Sequence, residues 1–338
     1  MKKKRIWAAG FIFCMSLLFL GACEKHSLQT RDKLHVGVTY YDQSDTFMNE
    51  LIACVRKKME ELGGRDLDIT MTVRGASGSQ QIQDDLVEEM INGGCDVLCV
   101  NLVDRTDPSD IIELARKNNT PIIFFNREPV TEDMFRWDGL YYVGADSEQS
   151  GVLQGELVAE AIQNNKKIDR NKDGKIQFVV LEGEPGHQDT IIRTENAVNT
   201  LKNKGIELEK LGSGIANWNR AQAQNRTMQL LSQHQGSIEL VLANNDDMAL
   251  GALDAYHKLN YTENALPVFF GIDGTDVGLE AVREGKLSGT VYHDKEGQAA
   301  AMAKLAKAVV TGKGMEDIPF ENQKYIFLPY TKIISRNL

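Results

Sequence analysis

The sequence predicts an α/β protein of two lobes, each a parallel sheet covered by helices on both faces. Three observations carry this expectation. Short apolar runs alternate with amphipathic stretches from Leu34 to Tyr292, which is the order of strand–helix–strand units. The apolar runs are nearly continuous, as strands buried on both faces require. The 338 residues suit two domains of ordinary size, each with its own core.

The N-terminus carries Lys2-Lys3-Lys4-Arg5, then an apolar stretch from Ile6 to Leu20, then Leu20-Gly21-Ala22-Cys23. A basic start, a short apolar region and small residues before a cleavage point make a secretory leader over residues 1–22. The stretch is too short and wrongly flanked for an ordinary membrane span. Its ending is similar to the lipobox of bacterial lipoproteins, which implies a lipid-modified Cys23, exposure outside the cytoplasm and a tether over residues 23–32. An ordinary cleaved leader with an incidental cysteine is the alternative. Loss of the four leader cations takes the formal net charge from −10 to −14. So acidic a chain is a poor partner for nucleic acid or anionic headgroups. Of the remaining cysteines, Cys95 and Cys99 stand four apart on an expected strand. That separation, about 13 Å, is too far for a disulfide, so they and Cys54 read as packed thiols.

The strands expected are Leu34–Thr39, Leu67–Val73, Val97–Leu102, Pro121–Phe125, Tyr141–Gly144, Gln177–Leu181, Glu239–Ala243, Val268–Ile272 and Ser288–Tyr292. Helical periodicity marks Thr46–Leu62, Gln80–Ile91, Ser147–Gln163, Thr190–Lys202, Ala221–Gln233 and Asp247–Lys258. Several strands end in polar groups: Asn126 after Phe125, Asn244-Asn245 after Ala243, Asp273 after Ile272. In open α/β sheets that edge is where ligands bind. No glycine-rich phosphate loop follows any strand, which argues against a nucleotide.

Residues 169–177 read Asp-Arg-Asn-Lys-Asp-Gly-Lys-Ile-Gln. Oxygen-bearing side chains at positions 1, 3, 5 and 9, a glycine at 6 and a carbonyl at 7 form the front of a calcium loop. An EF-hand ends with glutamate at position 12, and here that position is Val180, inside an apolar run. The loop therefore leads into a strand, its bidentate carboxylate must come from elsewhere, and the ion is structural. A solvated polar turn is the plain alternative.

A neutral polyol needs a paired group for each hydroxyl it removes from water, and the C–H faces of its ring suit aromatic walls. The chain places both kinds near strand ends: Asp45, Phe47, Asn126, His187, Asp189, Arg193, Trp218, Asn245 and Asp273. Each has a plainer reading. Asp45 suits the cap of the helix starting at Thr46, Trp218 suits a core, and His187 with Asp189 suits a catalytic dyad. That dyad lacks a nearby nucleophile in sequence.

At these residues the chain resembles the type I periplasmic binding proteins, the sugar receptors of bacterial ABC importers, and among them the galactose/glucose-binding branch. The resemblance spans Leu34–Thr331. It rests on Asp45-Thr46-Phe47-Met48, Phe124-Phe125-Asn126-Arg127-Glu128-Pro129, Tyr141-Tyr142-Val143-Gly144, Asp169–Phe178, Gly183-Glu184-Pro185-Gly186-His187, Ala243-Asn244-Asn245-Asp246 and Phe270-Gly271-Ile272-Asp273. It implies two Rossmann-like lobes joined by a hinge of three crossings, near Gly144–Asp146, His293–Lys295 and Phe327–Pro329. Residues 33–144 and 295–327 would form the N-terminal lobe, and 145–294 with 328–338 the C-terminal lobe.

The resemblance also implies a function without catalysis. Phe47 and Trp218 would sandwich a pyranose ring. Asp45 would accept from the 4-hydroxyl of either epimer, so both D-glucose and D-galactose would fit. Asn126, His187, Asp189, Arg193, Asn245 and Asp273 would bond the other oxygens. Calcium would be held by Asp169, Asn171, Asp173, the Lys175 carbonyl, Gln177 and Glu239. One position departs from the family: His293-Asp294 stands where the family has Asn-Asp, so His293 alters contacts near the 2- or 3-hydroxyl. The expected partner is a membrane ABC permease, met by a monomer on its lipid anchor; reporting sugar to a chemoreceptor is the second role considered. A glycosidase using paired carboxylates is the enzymatic rival. A transcription factor of this fold is set aside, because the exported start has no helix-turn-helix.

Overall fold

The computed structural model describes residues 32–64 and 67–338. The leader, Cys23 and the tether through Arg31 lie outside the described residues.

The first lobe runs β1 (Asp32–Tyr40), α1 (Thr46–Leu62), β2 (Leu67–Gly75), α2 (Gln80–Asn92), β3 (Val97–Val100), α3 (Ser109–Asn118), β4 (Ile122–Phe125), α4 (Thr131–Met134) and β5 (Leu140–Ala145). The second continues with α5 (Ser147–Asn164), β6 (Ile176–Glu182), α6 (Gln188–Asn203), β7 (Leu208–Ile215), α7 (Arg220–His234) and β8 (Leu240–Ala243). It ends with α8 (Asp246–Lys258), β9 (Val268–Phe270), α9 (Asp276–Arg283) and β10 (Thr290–His293). Then α10 (Lys295–Thr311) and β11 (Tyr325–Leu328) return to the first lobe, and β12 (Tyr330–Ile333) closes the second.

The larger sheet has the order β11-β5-β4-β3-β1-β2, with every pairing parallel. The second has β7-β6-β8-β9, also parallel. The antiparallel pair β10-β12 continues it, bridged to it by Phe270↔Gly289 and Asp273↔Tyr292. The chain thus passes between sheets after β5, after β10 and after β11. Strands β3, β4 and β8 are buried at every residue, which is why they read as unbroken apolar runs.

Three strands were not among those expected from the sequence. β7 is a sheet edge whose residues are mostly part-exposed, so its apolar signal is diluted. β11 and β12 are four residues each and pair with partners far away in sequence, which local periodicity cannot register. The strand expected to reach Ile272 stops at Phe270, just before Asp273 adopts φ 110.

Helix α1 shows how a site residue also builds the fold. Its apolar positions Phe47, Met48, Leu51, Ile52, Val55 and Met59 are buried, the three-to-four spacing of one helix face. Asp45 caps it, accepting from the Met48 amide at 2.8 Å. The cap reading of Asp45 is therefore correct, and it coexists with the residue's place in the cleft.

The lobes touch through polar pairs outside that cleft. Arg127 Nη2 donates to Glu184 Oε2 at 2.5 Å, Thr46 Oγ1 to Asp247 Oδ2 at 2.5 Å, and the Asp276 amide to Glu50 at 3.0 Å. Lys295 Nζ bridges Glu50 and Asp276 at 2.5 and 2.8 Å. The structure is a closed one.

Candidate functional site

Between the lobes lies a small cavity of about 20 Å³. The first lobe lines it with Tyr41, Asp45, Phe47, Met48, Asn126 and Arg127; the second with His187, Asp189, Arg193, Trp218, Asn245 and Asp273. Nine of the ten sugar-contact residues expected from sequence meet here. The tenth, His293, does not line the cavity. It lies against Phe47, the two rings 4.4 Å apart and parallel to within 3°.

Three of the lining residues hold positive φ without being glycine: Asn126 at 60°, Trp218 at 61° and Asp273 at 110°. Such backbone costs about 1–3 kcal/mol per residue and clusters at functional sites. Each stands beyond the end of a strand, where the chain borders the cavity.

The second lobe's wall is a connected charge network. Arg193 is 2% exposed. It donates Nη1 to the Asn244 carbonyl at 2.9 Å and Nη2 to the Tyr330 hydroxyl at 3.1 Å. It also approaches Asp189 at 3.2 Å and Asp273 at 3.5 Å. Asp189 accepts from Ser147 Oγ at 2.5 Å. Burial pushes the Asp189 carboxyl up, but Arg193, His187 and the Ser147 bond more than offset this and hold it below the usual range. Burial raises Asp273 well above that range, against the pull of Arg193.

His187 Nδ1 accepts from the Asp189 amide at 3.1 Å, which places the proton of the neutral ring on Nε2. Burial lowers its pKa to about 3, so the ring is neutral and donates through Nε2. The His187–Asp189 pair is thus a helix start and not a base with its orienter. No serine, cysteine or lysine lines the cavity. Asn245 caps α8 with its oxygen on the Met248 amide at 2.9 Å, and its amide group donates to the Trp218 carbonyl at 3.2 Å.

The first lobe's wall adds Tyr41, whose hydroxyl donates to Asp45 Oδ2 at 2.5 Å. Arg127 lies over the Tyr41 ring at 3.7 Å. Burial pushes the Asp45 carboxyl up, opposed by the Tyr41 and Met48 bonds and by Arg127. The buried Nε atoms of Arg127 and Arg193 have no protein partner. The site sets donors beside acceptors, which suits a ligand whose groups do both.

Sequence reasoning did not name Tyr41, Met48 or Arg127 as site residues. Met48 and Arg127 stood within stretches already singled out, next to Phe47 and Asn126. Tyr41 lies one residue past β1, the same strand-end signal that marked Asn126.

The 169–177 loop lies on the far side of the second lobe's sheet edge, at the start of β6. Its side-chain oxygens turn inward. Asp169 Oδ2 accepts from the Gly174 amide at 3.0 Å, Asn171 Oδ1 from Asp173 at 2.8 Å, and Asp173 Oδ1 from Lys175 at 2.8 Å. Gly174 takes φ 83, the turn for which glycine suits position 6. Glu239, just before β8, reaches the loop: Oε1 accepts from the Arg170 amide at 2.5 Å and Oε2 from the Gln177 amide at 3.2 Å. Asp169 Oδ1 is buried without a hydrogen-bond partner, as a cation ligand is. No group of three or more His, Cys, Asp or Glu among the described residues is gathered for a metal; the loop instead mixes carboxylates with amide and backbone oxygens, a hard set that fits calcium.

Cys54, Cys95 and Cys99 are free thiols. Burial pushes Cys95 up to about 11 and Cys99 up to about 12, so neither is a nucleophile.

Residues 36–314 match the periplasmic binding protein domain family, and the chain belongs to that family, whose two-lobe α/β fold it has. Its members are substrate-binding proteins and so is this chain; it is not an enzyme. It is 35% identical over 306 residues to the D-galactose/methyl-galactoside binding periplasmic protein MglB of Haemophilus influenzae, covering 90% of both chains. It is 26% identical to the ribose import binding protein RbsB of Bacillus subtilis, covering 91% of this chain and 95% of that one. A solved ABC transporter solute binding protein from Bacillus halodurans, with bound myo-inositol, superposes with TM-score 0.74 at 28% identity. That match covers 90% of this chain and 96% of the other. No helix among the described residues is long and apolar enough to cross a membrane.

Proposed function

We propose that this chain is the exported sugar-binding component of an ABC importer and that D-galactose and D-glucose are its ligands. One observation carries the proposal: two aromatic walls, Phe47 and Trp218, and a set of polar groups from both lobes line a single cavity. The relative bearing the name of a galactose receptor supports the choice of sugar.

In this reading the ring stacks between Phe47 and Trp218. Asp45, already bound on one oxygen by its helix and on the other by Tyr41, accepts from the 4-hydroxyl with its remaining lone pairs. His187 Nε2, Asn126 and the two arginines donate. Asp189, Asp273 and Asn245 complete the fan. Only closure lets both lobes bond one ligand, so sugar favours the closed form. That form then docks on a permease, with the receptor held nearby by lipid on Cys23. Titration calorimetry tests the core of this: a dissociation constant of micromolar or below, about −8 kcal/mol or stronger, is expected for D-galactose or D-glucose. Absence of heat with both at sub-millimolar protein defeats it.

The loop is proposed to hold calcium through Asp169, Asn171, Asp173, the Lys175 carbonyl, Gln177 and Glu239. The ion would join β6 to the approach to β8 and stabilise the second lobe without touching the sugar. A chelator should lower the melting temperature and leave the sugar affinity unchanged. An unmoved melting curve removes the ion from the account.

A further inference from the structure

We infer that His293 is a positioning residue, which backs the Phe47 wall through a ring stack that forms only when the lobes close. The inference rests on the sugar-receptor reading of the cleft and adds to it a device that joins ligand wall to hinge.

The imidazole ends β10, at a point where the chain leaves the second lobe. One face lies flat on Phe47 at 4.4 Å; the other meets Tyr330 at 4.6 Å with a 31° tilt. Phe47 belongs to α1 of the first lobe, whereas His293 and Tyr330 belong to the paired strands β10 and β12 of the second. The pile therefore spans the lobes. Its far end is tied to the charge network, because Tyr330 accepts from Arg193 at 3.1 Å.

The imidazole covers one face of Phe47, and it is Phe47, not His293, that reaches the cavity. His293 is 2% exposed and neither ring nitrogen has a hydrogen-bond partner. The nearest opposite charge, Asp273 Oδ1, is 4.0 Å from Nδ1. A polar ring without partners in a buried place asks for an explanation. Two ring contacts supply one: the side chain is used for its flat surface. Burial also lowers its pKa to about 3, so the ring stacks as a neutral group beside Arg193. Asparagine, the residue that the galactose/glucose-binding branch has at this position, offers no such surface.

Three variants separate the ring from its nitrogens. His293→Ala and His293→Asn remove the stack, and His293→Phe keeps it while removing both nitrogens. Titration with D-galactose and D-glucose should show affinity weakened about tenfold in the Ala and Asn variants, the scale of an aromatic pair, and within about threefold of wild type for Phe. Small-angle scattering of sugar-free protein should show a larger radius of gyration for Ala and Asn than for wild type and Phe. If the Phe variant loses affinity as much as Asn does, the nitrogens touch the sugar and the inference is wrong. Unchanged binding and scattering in the Ala variant also overturn it. A wild type that binds neither sugar defeats the receptor reading instead, and the scattering series still decides whether the stack holds the lobes.

Discussion

The first lobe lines the cleft with a phenyl ring and a helix cap, whereas the second lines it with a guanidinium flanked by two carboxylates. On the first wall, Asp45 and Tyr41 bond each other and the start of α1, and Phe47 stacks on a residue of the other lobe. On the second, Arg193 is fixed by bonds to the Asn244 carbonyl and the Tyr330 hydroxyl, both of its own lobe. The difference assigns separate tasks. The second wall is a preformed polar surface on which a sugar loads with little reorganisation. The first completes the site only by closing, which is where ligand binding becomes a conformational signal.

The largest expected effect breaks the second wall. Arg193→Met leaves Asp189 and Asp273 buried without their counter-charge, a loss of about 3–5 kcal/mol for a broken buried pair. Calorimetry should show affinity reduced more than a hundredfold, with a lower melting temperature. Asp45→Asn, on the first wall, keeps a good cap and removes only a charge, so a loss of about tenfold or less is expected. Equal losses at the two positions would erase the distinction between the walls.

Acid probes both walls. His187 and His293 have folded pKa values lowered to about 3 from 6.5. Between those values the unfolded chain binds more protons, so their stabilisation is complete above pH 6.5 and fades as pH falls toward about 3. Each histidine removes up to about 1.4 kcal/mol per pH unit in that window. Asp189, held low, loses its contribution in the same direction as pH falls through the acid range. Asp45 on the first wall and Asp273 on the second have raised pKa values, so their contributions run oppositely, present at low pH and lost as pH rises. Denaturant melts from pH 7 to 4 should show stability falling, and replacing His187 with Gln should flatten the curve. A replacement without effect on the slope would remove that histidine from the acid response.

Much of this was readable from sequence because the informative residues sit at strand ends, where a buried apolar run gives way abruptly to a polar group. Asn126, Asn245 and Asp273 each follow such a run, and all three reach the cavity. Position along the chain did not reveal which groups would share bonds. Tyr41 and Arg127 were missed because their roles depend on Asp45 and Glu184 packing against them, and Glu184 comes from the other lobe. His293 was expected to touch the sugar because it stands where the resembled family has an asparagine. Its stack on Phe47 depends on how two lobes meet, a relation that no local pattern encodes. The edge strand β7 was hidden because exposure dilutes its apolar signal, and the returning strands β11 and β12 because their partners lie far away in sequence.

The most direct test of the account is a crystal structure of the protein with D-galactose. The account predicts one sugar ring between Phe47 and Trp218, with hydrogen bonds to Asp45 from one lobe and to Asp189, Arg193 and Asp273 from the other. A sugar seated elsewhere, or bonded to one lobe alone, would contradict it.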